Sequence, residues 1–299
     1  MKPDTLHDYH RRMLLVLLYI QQHLDRPLDL AELAGVAGFS EFHFHRMFRG
    51  MMGESVQAHL RRLRLEKAAQ RLRDSDESVI RIALGSGFES HAAFSRAFKK
   101  QTGCSPSDWR QARSRCQLAP SPTGVHYGAS CEIASFSPLT AGGKGMKVEI
   151  TRLAPRRVAF VRHVGPYHEC GEAWNTLCAH LGPRGLLAGA DFIGLSHDDP
   201  EVTPPERLRY DACATVDDAF EASGRIGVQV LPGGRYAMTT HHGPYENLKE
   251  TYDLLFGQWM PANNERMVDG PSQEYYLNDP EATEPAELLT DIYIRLEDR

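Results

Sequence analysis

The first half of the chain contains a tandem repeat, which constrains the fold more than any other feature of the sequence. The segment LAGVAGFSEFHFHRMFRGMMGESV recurs as IALGSGFESHAAFSRAFKKQTGCSP. Gly38 and Phe39 of the first copy match Gly87 and Phe88 of the second, and the repeating unit is about fifty residues long. A period of this length is typical of a supersecondary unit that occurs twice.

Helix start and stop signals in both copies indicate helix-turn-helix units. Residues suited to the N-cap precede the predicted helices at Asp29, Ser40, Ser78 and Ser105. Glu32 follows Asp29 at the spacing of a capping box, and the turn glycines are Gly38 and Gly87. A stretch rich in Leu, Arg and Ala predicts a long helix over 56–74 that joins the two units. Two similar helical hairpins of an ordinary α-domain would give the same periodicity, so the pattern alone does not assign a function.

The second helix of each copy has two faces with different chemistry. Phenylalanines that share one helical face predict core packing at Phe44, Phe48, Phe94 and Phe98. Arg46 and Arg96 lie midway between these phenylalanines, and we expect them to face outward. Arginine can bind guanine edges in a bidentate manner, and histidine can donate to base acceptors or to phosphates. This chemistry favours DNA binding over simple packing.

These considerations select a set of candidate DNA-binding residues. The set comprises Phe42, His43, His45, Arg46, Arg49, His91, Ala92, Arg96, Lys99 and Lys100. Arg61 and Arg62 on the joining helix are further candidates for phosphate contacts, which supply affinity without reading sequence. Residues 1–118 carry 19 basic and 13 acidic side chains, a net charge of +6, whereas the remainder carries −11. A solvated basic face is the commoner origin of such an excess, so charge is only supporting evidence.

Residues 1–115 resemble the DNA-binding domain of AraC-type transcription regulators. The resemblance runs through both copies and ends in the signature GFESHAAFSRAFKKQTGCSPSDWR. In that family, two recognition helices enter successive major-groove segments on one face of the DNA. The base-facing positions that the resemblance implies are Phe42, His45 and Arg46 in one helix and His91, Ala92 and Arg96 in the other. Alanines at 92 and 93 predict little direct readout by the second helix.

The stretch between the two halves predicts a linker over 116–145. It is rich in Ser, Pro and Gly and lacks helical periodicity, although its segment from Phe136 to Leu139 is a candidate to pack on the following domain. Six cysteines without a C-x-x-C pair favour a reducing compartment with buried or incidental thiols over a disulfide framework. The longest aliphatic run, MLLVLLYI, is too short to span a bilayer, so we expect a cytoplasmic protein.

The C-terminal half, residues 146–299, also repeats. RRVAFVRHVGPYHECGEAWNTL is matched 78 residues later by GRYAMTTHHGPYENLKETYDLL, and HDDPEVTPPERLRYDACATV is matched 80 residues later by LNDPEATEPAELLTDIYIRL. Each copy predicts a strand, a turn at Gly-Pro-Tyr, an amphipathic helix and two strands around an Asp-Pro loop. The predicted fold is multidomain, with an all-α tandem helix-turn-helix domain followed by an α+β domain of two pseudo-symmetric β-α-β-β repeats. A groove between such repeats is a typical small-molecule site.

Residues 147–297 resemble the GyrI-like (gyrase-inhibitor-like) effector-binding domain through the repeated Gly-Pro-Tyr, the Asp-Pro loops and the terminal LLTDIYIRL. The family implies a cleft for lipophilic, often cationic, compounds, with an acidic residue beneath aromatic walls. The position that matches its buried glutamate is Glu274, and Tyr276 lies on the same strand face. Candidate walls are Trp174, Tyr167, Tyr245 and Tyr252. Ordinary core packing is the alternative for each tyrosine.

Together the two halves predict a one-component transcription regulator rather than an enzyme. A small lipophilic, cationic effector bound by the C-terminal domain would bias promoter binding by the N-terminal domain. The alternative is a regulator-fused hydrolase that acts on a small electrophilic compound, with Glu274 as general base. RNA polymerase is a further partner in this prediction, and the protein is expected to be a monomer or dimer. No membrane partner is expected. No cofactor or metal is expected either, because the sequence has neither a zinc-ligand spacing nor a Gly-rich phosphate loop.

Overall fold

The computed structural model describes residues 5–111, 117–128, 130, 133, 136, 138 and 146–298, and the side chains of residues 5–7 and 42 lie outside the described part. The chain divides into two compact units, Met1–Gly142 with Phe256–Pro261 and Gly143–Leu255 with Ala262–Arg299. None of the described helices combines the length and the apolarity that crossing a bilayer requires.

The first unit is helical over residues 5–111. Its helices are α1 Thr5–His23, α2 Leu30–Ala37, α3 Glu41–Met52, α4 Val56–Asp74, α5 Val79–Gly85, α6 His91–Thr102 and α7 Pro106–Gln111. The pairs α2–α3 and α5–α6 are the two predicted helix-turn-helix units, and α4 is the predicted joining helix. Both second helices, α3 and α6, are twelve residues long and begin after a serine N-cap.

Local signals set the helix ends as predicted. The backbone N–H three residues on donates to each predicted N-cap side chain at Asp29, Ser40 and Ser78. Gly38 and Gly87 have φ values of +67° and +79°, a backbone conformation that residues other than glycine rarely adopt. The capping box is only half formed, because the Glu32 carboxylate instead accepts hydrogen bonds from Tyr19 and Arg26.

The phenylalanine stripes form the helical core as predicted. The fully buried rings are Phe44, Phe48, Phe94 and Phe98. Burying one such ring contributes about 1.5–3 kcal/mol to folding, so each stripe is a main source of stability for its helical pair. Within each helix the two rings contact one another, with centroids 5.7 Å apart in α3 and 5.4 Å apart in α6.

The region predicted to be a linker contacts the helical unit where it is described. Residues 117–128 pack on α4, where the backbone N–H of Tyr127 donates to Glu66 at 2.7 Å. The ring of Phe136 lies 5.4 Å from that of His10 in α1, so Phe136 packs on a helix of the first unit. A Ser- and Pro-rich composition predicts irregular backbone, but it carries no information about which surface that backbone contacts.

Cysteine pairing departs from the expectation of unpaired thiols at one position. Cys104 is disulfide-bonded, and its Sγ also lies 3.8 Å from the hydroxyl of Thr102. Cys170, Cys178 and Cys213 are free. The absence of a C-x-x-C motif excludes a local pair only, since cysteines that are distant in sequence give no local signal.

The second unit contains one eight-stranded antiparallel sheet. Its strands are β1 Glu149–Leu153, β2 Arg156–Val164, β3 Phe192–Ser196, β4 Arg209–Thr215, β5 Gly227–Leu231, β6 Gly234–His242, β7 Ser272–Tyr276 and β8 Leu289–Leu296. Their order across the sheet is β1-β6-β8-β7-β3-β4-β2-β5. The central β3–β7 pair joins strands that are far apart in sequence. The edge strands β1 and β5 were not predicted as separate strands from the sequence.

Residues alternate between the two faces of this sheet, as strand geometry requires. On one face α8, Gly171–Leu181, packs Ala173, Leu177 and Leu181 against Ala212 and its neighbours in β2 and β4. A second cluster, which includes Cys213, Ile193 and Tyr275, occupies the opposite face. The helix α9, Leu248–Leu254, follows β6, and its Tyr252 reaches the same face of the sheet as α8. The face that α8 and α9 cover holds the candidate effector site.

Candidate functional sites

Glu274 lies on β7 with only 5% of its surface exposed, and three hydroxyl groups hold its carboxylate. Its Oε1 accepts hydrogen bonds from Ser196 at 3.0 Å and from Tyr252 at 2.7 Å, and its Oε2 accepts one from Tyr276 at 3.0 Å. The three donors come from β3, α9 and β7. The fold therefore brings separate elements together at one carboxylate, and two of the predicted ligand residues are among its donors.

A chain of hydrogen bonds extends this arrangement toward α8. The indole N–H of Trp174 donates to the Tyr210 hydroxyl at 3.2 Å, and the hydroxyl oxygens of Tyr210 and Tyr276 are 2.8 Å apart. Because Tyr276 uses its only hydroxyl proton on Glu274, Tyr210 must be the donor to Tyr276. The indole can only donate, so every proton in this series of hydrogen bonds points toward Glu274. Burial, and then the charge of Glu274, raises the pKa of Tyr210 well above its ordinary value. Burial, with the neighbouring Tyr210 and Glu274, does the same to the pKa of Tyr276, so both hydroxyls stay protonated near neutral pH.

Gly194 supplies the space in which these hydroxyls meet. It pairs directly with Glu274 in the β3–β7 ladder. A Cβ at this position would lie 2.4 Å from the hydroxyl oxygen of Tyr210 and 2.4 Å from that of Tyr276. Contacts this short do not occur, so a side chain at 194 is incompatible with the observed network.

Gly194→Ala is therefore expected to lower the free energy of unfolding by about 1–3 kcal/mol, the usual range for overpacking a buried site. Urea denaturation of the full chain measures it. Gly171→Ala is the matched control, because a Cβ there meets nothing within 4 Å. Wild-type stability in the Gly194 variant would mean that the two hydroxyls are not held beside β3.

Aromatic rings enclose the carboxylate. The Tyr276 ring is packed edge-to-face by Trp174 at 5.7 Å and by Tyr245 at 5.4 Å. Tyr245 is 37% exposed and forms the outermost of these rings. Tyr167 lies further out, since its hydroxyl donates to the carbonyl of Asp198 at 2.7 Å. All six predicted ligand residues thus lie in one region of the second unit.

The residues that sequence reasoning missed are Ser196, Gly194 and Tyr210. All three lie on β3 or β4. The sequence patterns selected only residues near Glu274 or near the Gly-Pro-Tyr turns. Their participation depends on the β3–β7 pairing, which brings together residues about 80 positions apart. The repeat contains one signal that could have identified Gly194. Gly194 lies 80 residues before Glu274, inside a predicted strand, where a glycine often marks a close approach of another group.

The charge of Glu274 is not neutralised by a basic side chain. Within 146–298 its described hydrogen bonds come from hydroxyl groups alone. Asp211, on the opposite face of the sheet, shows the contrast: it is fully buried but pairs with Arg162 at 2.7 Å and with His197 at 2.9 Å. Burial by itself would raise the pKa of Asp211, but hydrogen bonds from Arg162 and His197 lower it below the ordinary value. Among the residues that the structure describes, no such cation pairs with Glu274.

A surface cavity of about 480 Å³ lies elsewhere in the second unit. Its lining comprises His180, Arg184, Leu186, Asp217, Ala219, Phe220, Glu221, Ala222 and Ser223. None of the predicted ligand residues borders this cavity. The candidate effector site is therefore the one at Glu274, where a buried carboxylate has only hydroxyl groups as described partners.

In the second helix-turn-helix unit the predicted DNA-binding residues face solvent. The exposed set on α6 comprises His91, Ala92, Arg96, Lys99 and Lys100. Phe94 and Phe98 on the opposite side are fully buried, so α6 is divided into a core face and a solvent face as predicted.

The first helix-turn-helix unit differs. His43 is 7% exposed and packs between Phe39 and Tyr9, with ring centroids 4.4 Å and 6.1 Å away, so it is a core residue rather than the surface residue that was expected. His45 and Arg46 are 2% and 8% exposed, and Arg49 is half-buried. The side chain of Phe42 lies outside the described residues. Helical periodicity predicts which residues share a face but not whether that face is exposed.

Arg61 and Arg62 also have different environments. Arg61 is exposed, as a phosphate contact requires. Arg62 is 6% exposed and lies between two carboxylates, with Nη2 2.5 Å from Glu54 and Nη1 2.9 Å from Glu66. It also donates to the carbonyl of Val125 at 2.8 Å. The expectation of a phosphate contact is therefore wrong for Arg62, whose charge is already paired inside the protein.

Family models match both units. A GyrI-like small molecule binding domain matches residues 146–297, half of the chain, and a helix-turn-helix domain matches residues 33–112. The chain belongs to the AraC-type transcription regulators with a GyrI-like domain. The regulator is thus a DNA-binding protein with a small-molecule-binding domain.

Similar proteins match either most of the chain or one part of it. The regulator is 39% identical over 272 residues to the Right origin-binding protein of Escherichia coli, a match that covers 87% of this chain and 88% of the relative. The identity and the coverage are the same for the Transcriptional regulator Rob of Salmonella typhimurium. The DNA gyrase inhibitor of Yersinia enterocolitica is 30% identical over 138 residues, which cover 45% of this chain and 88% of that protein.

Proposed function

We propose that the GyrI-like domain binds a lipophilic monocation at Glu274, and that this binding biases how the N-terminal domain engages promoter DNA. The observation that carries the proposal is a buried carboxylate whose described partners are all neutral hydroxyl groups. We assign the DNA-binding domain to residues 1–115, the connecting segment to 116–145 and the effector domain to 146–299.

Desolvation explains why a cation would be selected. A carboxylate removed from water loses solvation energy that hydroxyl dipoles replace only in part. A cation placed beside it restores a Coulombic partner, and the surrounding rings of Trp174, Tyr245 and Tyr276 add cation–π attraction of about 0.5–2 kcal/mol each. A neutral ligand gains from neither the charge nor the quadrupoles. The site therefore favours compounds that combine a positive charge with a large apolar surface.

Entry to the site requires an aromatic ring to move. Tyr245 is the candidate gate, because it is the partly exposed ring that packs on Tyr276. Its pKa is raised by burial and by the charge of Glu274, so it too acts as a neutral, polarisable wall. Displacing one side chain rotamer is a small change compared with the binding energy of an aromatic cation.

We propose that each of the two sequence repeats in this domain forms one β-α-β-β unit. The order of elements supports it, since β2-α8-β3-β4 is followed by β6-α9-β7-β8. A shared turn supports it further. His163 and His241 both donate from Nε2 to the proline carbonyl of the Gly-Pro-Tyr turn that follows, at 3.0 Å and 3.2 Å.

Thermal unfolding of the full chain with tetraphenylphosphonium, and with the neutral triphenylphosphine oxide, tests the effector site. A ligand that binds only the folded state stabilises it by RT ln(1 + [L]/Kd), or about 2.7 kcal/mol at one hundred times Kd. We expect the melting temperature to rise with the cation alone. Equal shifts with both compounds, or none with either, would contradict a site selected by charge.

On the DNA side we propose that α6 enters the major groove with Arg96 facing the bases and with Lys99 and Lys100 on phosphates. The exposed positions of these side chains support this assignment. We also assign base contacts to Phe42, His45 and Arg46 of α3, which require Arg46 to become exposed in the DNA-bound state. One chain carries both recognition helices, so a monomer suffices for binding. RNA polymerase is the further partner of the promoter-bound protein.

Arg96→Ala is expected to weaken specific DNA binding by about 1–3 kcal/mol and to relax selectivity at one base position, as for the loss of a bidentate guanine contact. Fluorescence anisotropy measures it, with a duplex selected by the protein from random sequence and with a scrambled duplex. Arg73→Ala, which removes an exposed arginine at the end of α4, is the matched control. Equal affinity of wild type and Arg96→Ala for the selected duplex would remove α6 from the reading face.

A further inference from the structure

Thr290 carries a buried hydroxyl that makes no hydrogen bond in the described part of the chain. The residue is 0% exposed, and its Oγ1 has no partner there. Buried hydroxyl groups in folded proteins are nearly always paired, because leaving one unpaired forfeits the hydrogen bonds that it makes with water. An exception in the interior of a ligand-binding domain calls for a functional explanation.

Strand register places this hydroxyl beside the candidate effector site. Thr290 on β8 pairs directly with Tyr276 on β7 and with His241 on β6. Directly opposed residues of antiparallel strands share a face, with Cβ atoms about 4.5–5.5 Å apart. The Tyr276 side chain turns toward Glu274, so the side chain of Thr290 stands on the same face as the carboxylate. Two residues further along β8, Ile292 pairs with Glu274 itself.

The polar groups that flank Thr290 are already committed to other partners. His241 uses Nδ1 with the Thr251 hydroxyl at 2.8 Å and Nε2 with the carbonyl of Pro244 at 3.2 Å. The Tyr276 hydroxyl donates to Glu274 and accepts from Tyr210. None of these described hydrogen bonds includes the hydroxyl of Thr290.

We propose that Thr290 determines specificity in the effector site, by hydrogen bonding to a polar group on the bound cation. The inference rests on the proposed function of the same site. A threonine hydroxyl both donates and accepts, so it suits a hydroxyl, amine or carbonyl on an otherwise apolar cation. Because Thr290 is fully buried, that group reaches it only when a neighbouring ring is displaced, and Tyr245 is the partly exposed ring beside Tyr276.

Calorimetric titration of full-length protein with two probes tests the assignment. The probes are tetraphenylphosphonium, which has no hydrogen-bonding group, and (4-hydroxyphenyl)triphenylphosphonium, which differs by one hydroxyl. Wild type is expected to bind the hydroxylated probe about 2- to 12-fold more tightly, the range of one net hydrogen bond. Thr290→Val, which has nearly the same shape, should erase that preference and leave the affinity for tetraphenylphosphonium within about twofold.

Each other outcome is informative. A preference that survives in Thr290→Val overturns the role of Thr290 and leaves the proposed cation site standing. If wild type binds tetraphenylphosphonium but shows no preference, the inference is also overturned. If wild type binds neither probe, the cation site falls and the inference falls with it.

The ligand-free protein provides a second measurement. Removal of an unpaired hydroxyl should leave the melting temperature of Thr290→Val unchanged or raised. Thr240→Val is the matched control, because the Thr240 hydroxyl donates to Asp291 at 2.6 Å and its loss should lower the melting temperature. A comparable fall in Thr290→Val would show that its hydroxyl is bonded in the folded protein, which overturns the inference.

Discussion

Glu274→Gln is expected to weaken binding of a lipophilic cation by roughly 2–5 kcal/mol, or about 30-fold or more in Kd, because it removes one member of a buried charge pair. Binding of a neutral analogue should change far less, since glutamine preserves the shape of the side chain. The discriminating quantity is therefore the ratio of the two affinities. Calorimetric titration of tetraphenylphosphonium and triphenylphosphine oxide into full-length protein gives that ratio directly.

The substitution also disturbs the ligand-free network, and this effect must be measured separately. A glutamine amide donates where the carboxylate Oε2 accepts from Tyr276. Tyr276 would have to turn and donate to Tyr210, which already receives the indole N–H of Trp174. The hydroxyl proton of Tyr210 would then lack an acceptor within the described network, at a cost of about 1–3 kcal/mol. Urea denaturation of the ligand-free variant supplies the correction.

Glu172→Gln is the matched control for Glu274→Gln. It makes the same substitution at an exposed residue of α8, where the carboxylate is 2.8 Å from Arg225. It lowers the net negative charge of the domain by the same amount but leaves the enclosed site intact, so affinity for the cation should stay near that of wild type. An equal loss in both variants would assign the preference for cations to the overall field of the domain and not to Glu274.

Local sequence patterns predicted much of this fold because the interactions they encode are local. The N-cap at Ser40 and the left-handed turn at Gly38 depend on residues within one helical turn. The buried stripe of Phe44 and Phe48 follows from helical period alone. Tyr276 could be placed beside Glu274 because residues two apart on a strand share a face. In each case the spacing of residues within one element determines the outcome.

Contacts between distant elements were the part that the sequence could not predict. Tyr210 joins the effector site because β3 pairs with both β4 and β7, a register that no local pattern contains. Arg62 occurs in a basic helical segment that resembles a solvated face, but residues 117–128 cover it. His43 has the composition of a DNA contact, yet Phe39 and Tyr9 enclose it. Side-chain type predicts chemistry, whereas exposure decides whether that chemistry is available.

Arg62→Met is expected to lower the free energy of unfolding by about 3–5 kcal/mol, the usual consequence of removing one member of a buried ion pair. Methionine fills a similar volume, so the loss is mainly electrostatic. Glu66 is 3% exposed, and its remaining donors among the described residues would be the backbone N–H of Tyr127 and the ring nitrogen of His126. Urea denaturation of the full chain, monitored through the helical circular dichroism signal, measures the change in the free energy of unfolding.

Arg61→Met is the matched control because it makes the same substitution one residue away on the exposed face of α4. The two variants should behave in opposite ways. Arg61→Met should leave stability within about 0.5 kcal/mol of wild type and reduce the salt dependence of DNA binding, as the loss of a phosphate contact does. Arg62→Met should lose stability. If Arg62→Met were as stable as Arg61→Met, the carboxylates around it would not depend on the guanidinium.

The pH dependence of unfolding separates the lost charge pair from lost packing. Burial by itself would raise the pKa of Glu54, but hydrogen bonds from His59 and Arg62 lower it from an ordinary value of 4.5 to about 2. Because the folded-state value is the lower one, this carboxylate contributes stability that is complete above pH 4.5 and is lost as the pH falls toward 2. Arg62→Met removes part of that depression, so its stability should fall less steeply than that of wild type across this window. A slope equal to that of wild type would assign the destabilisation to packing around α4.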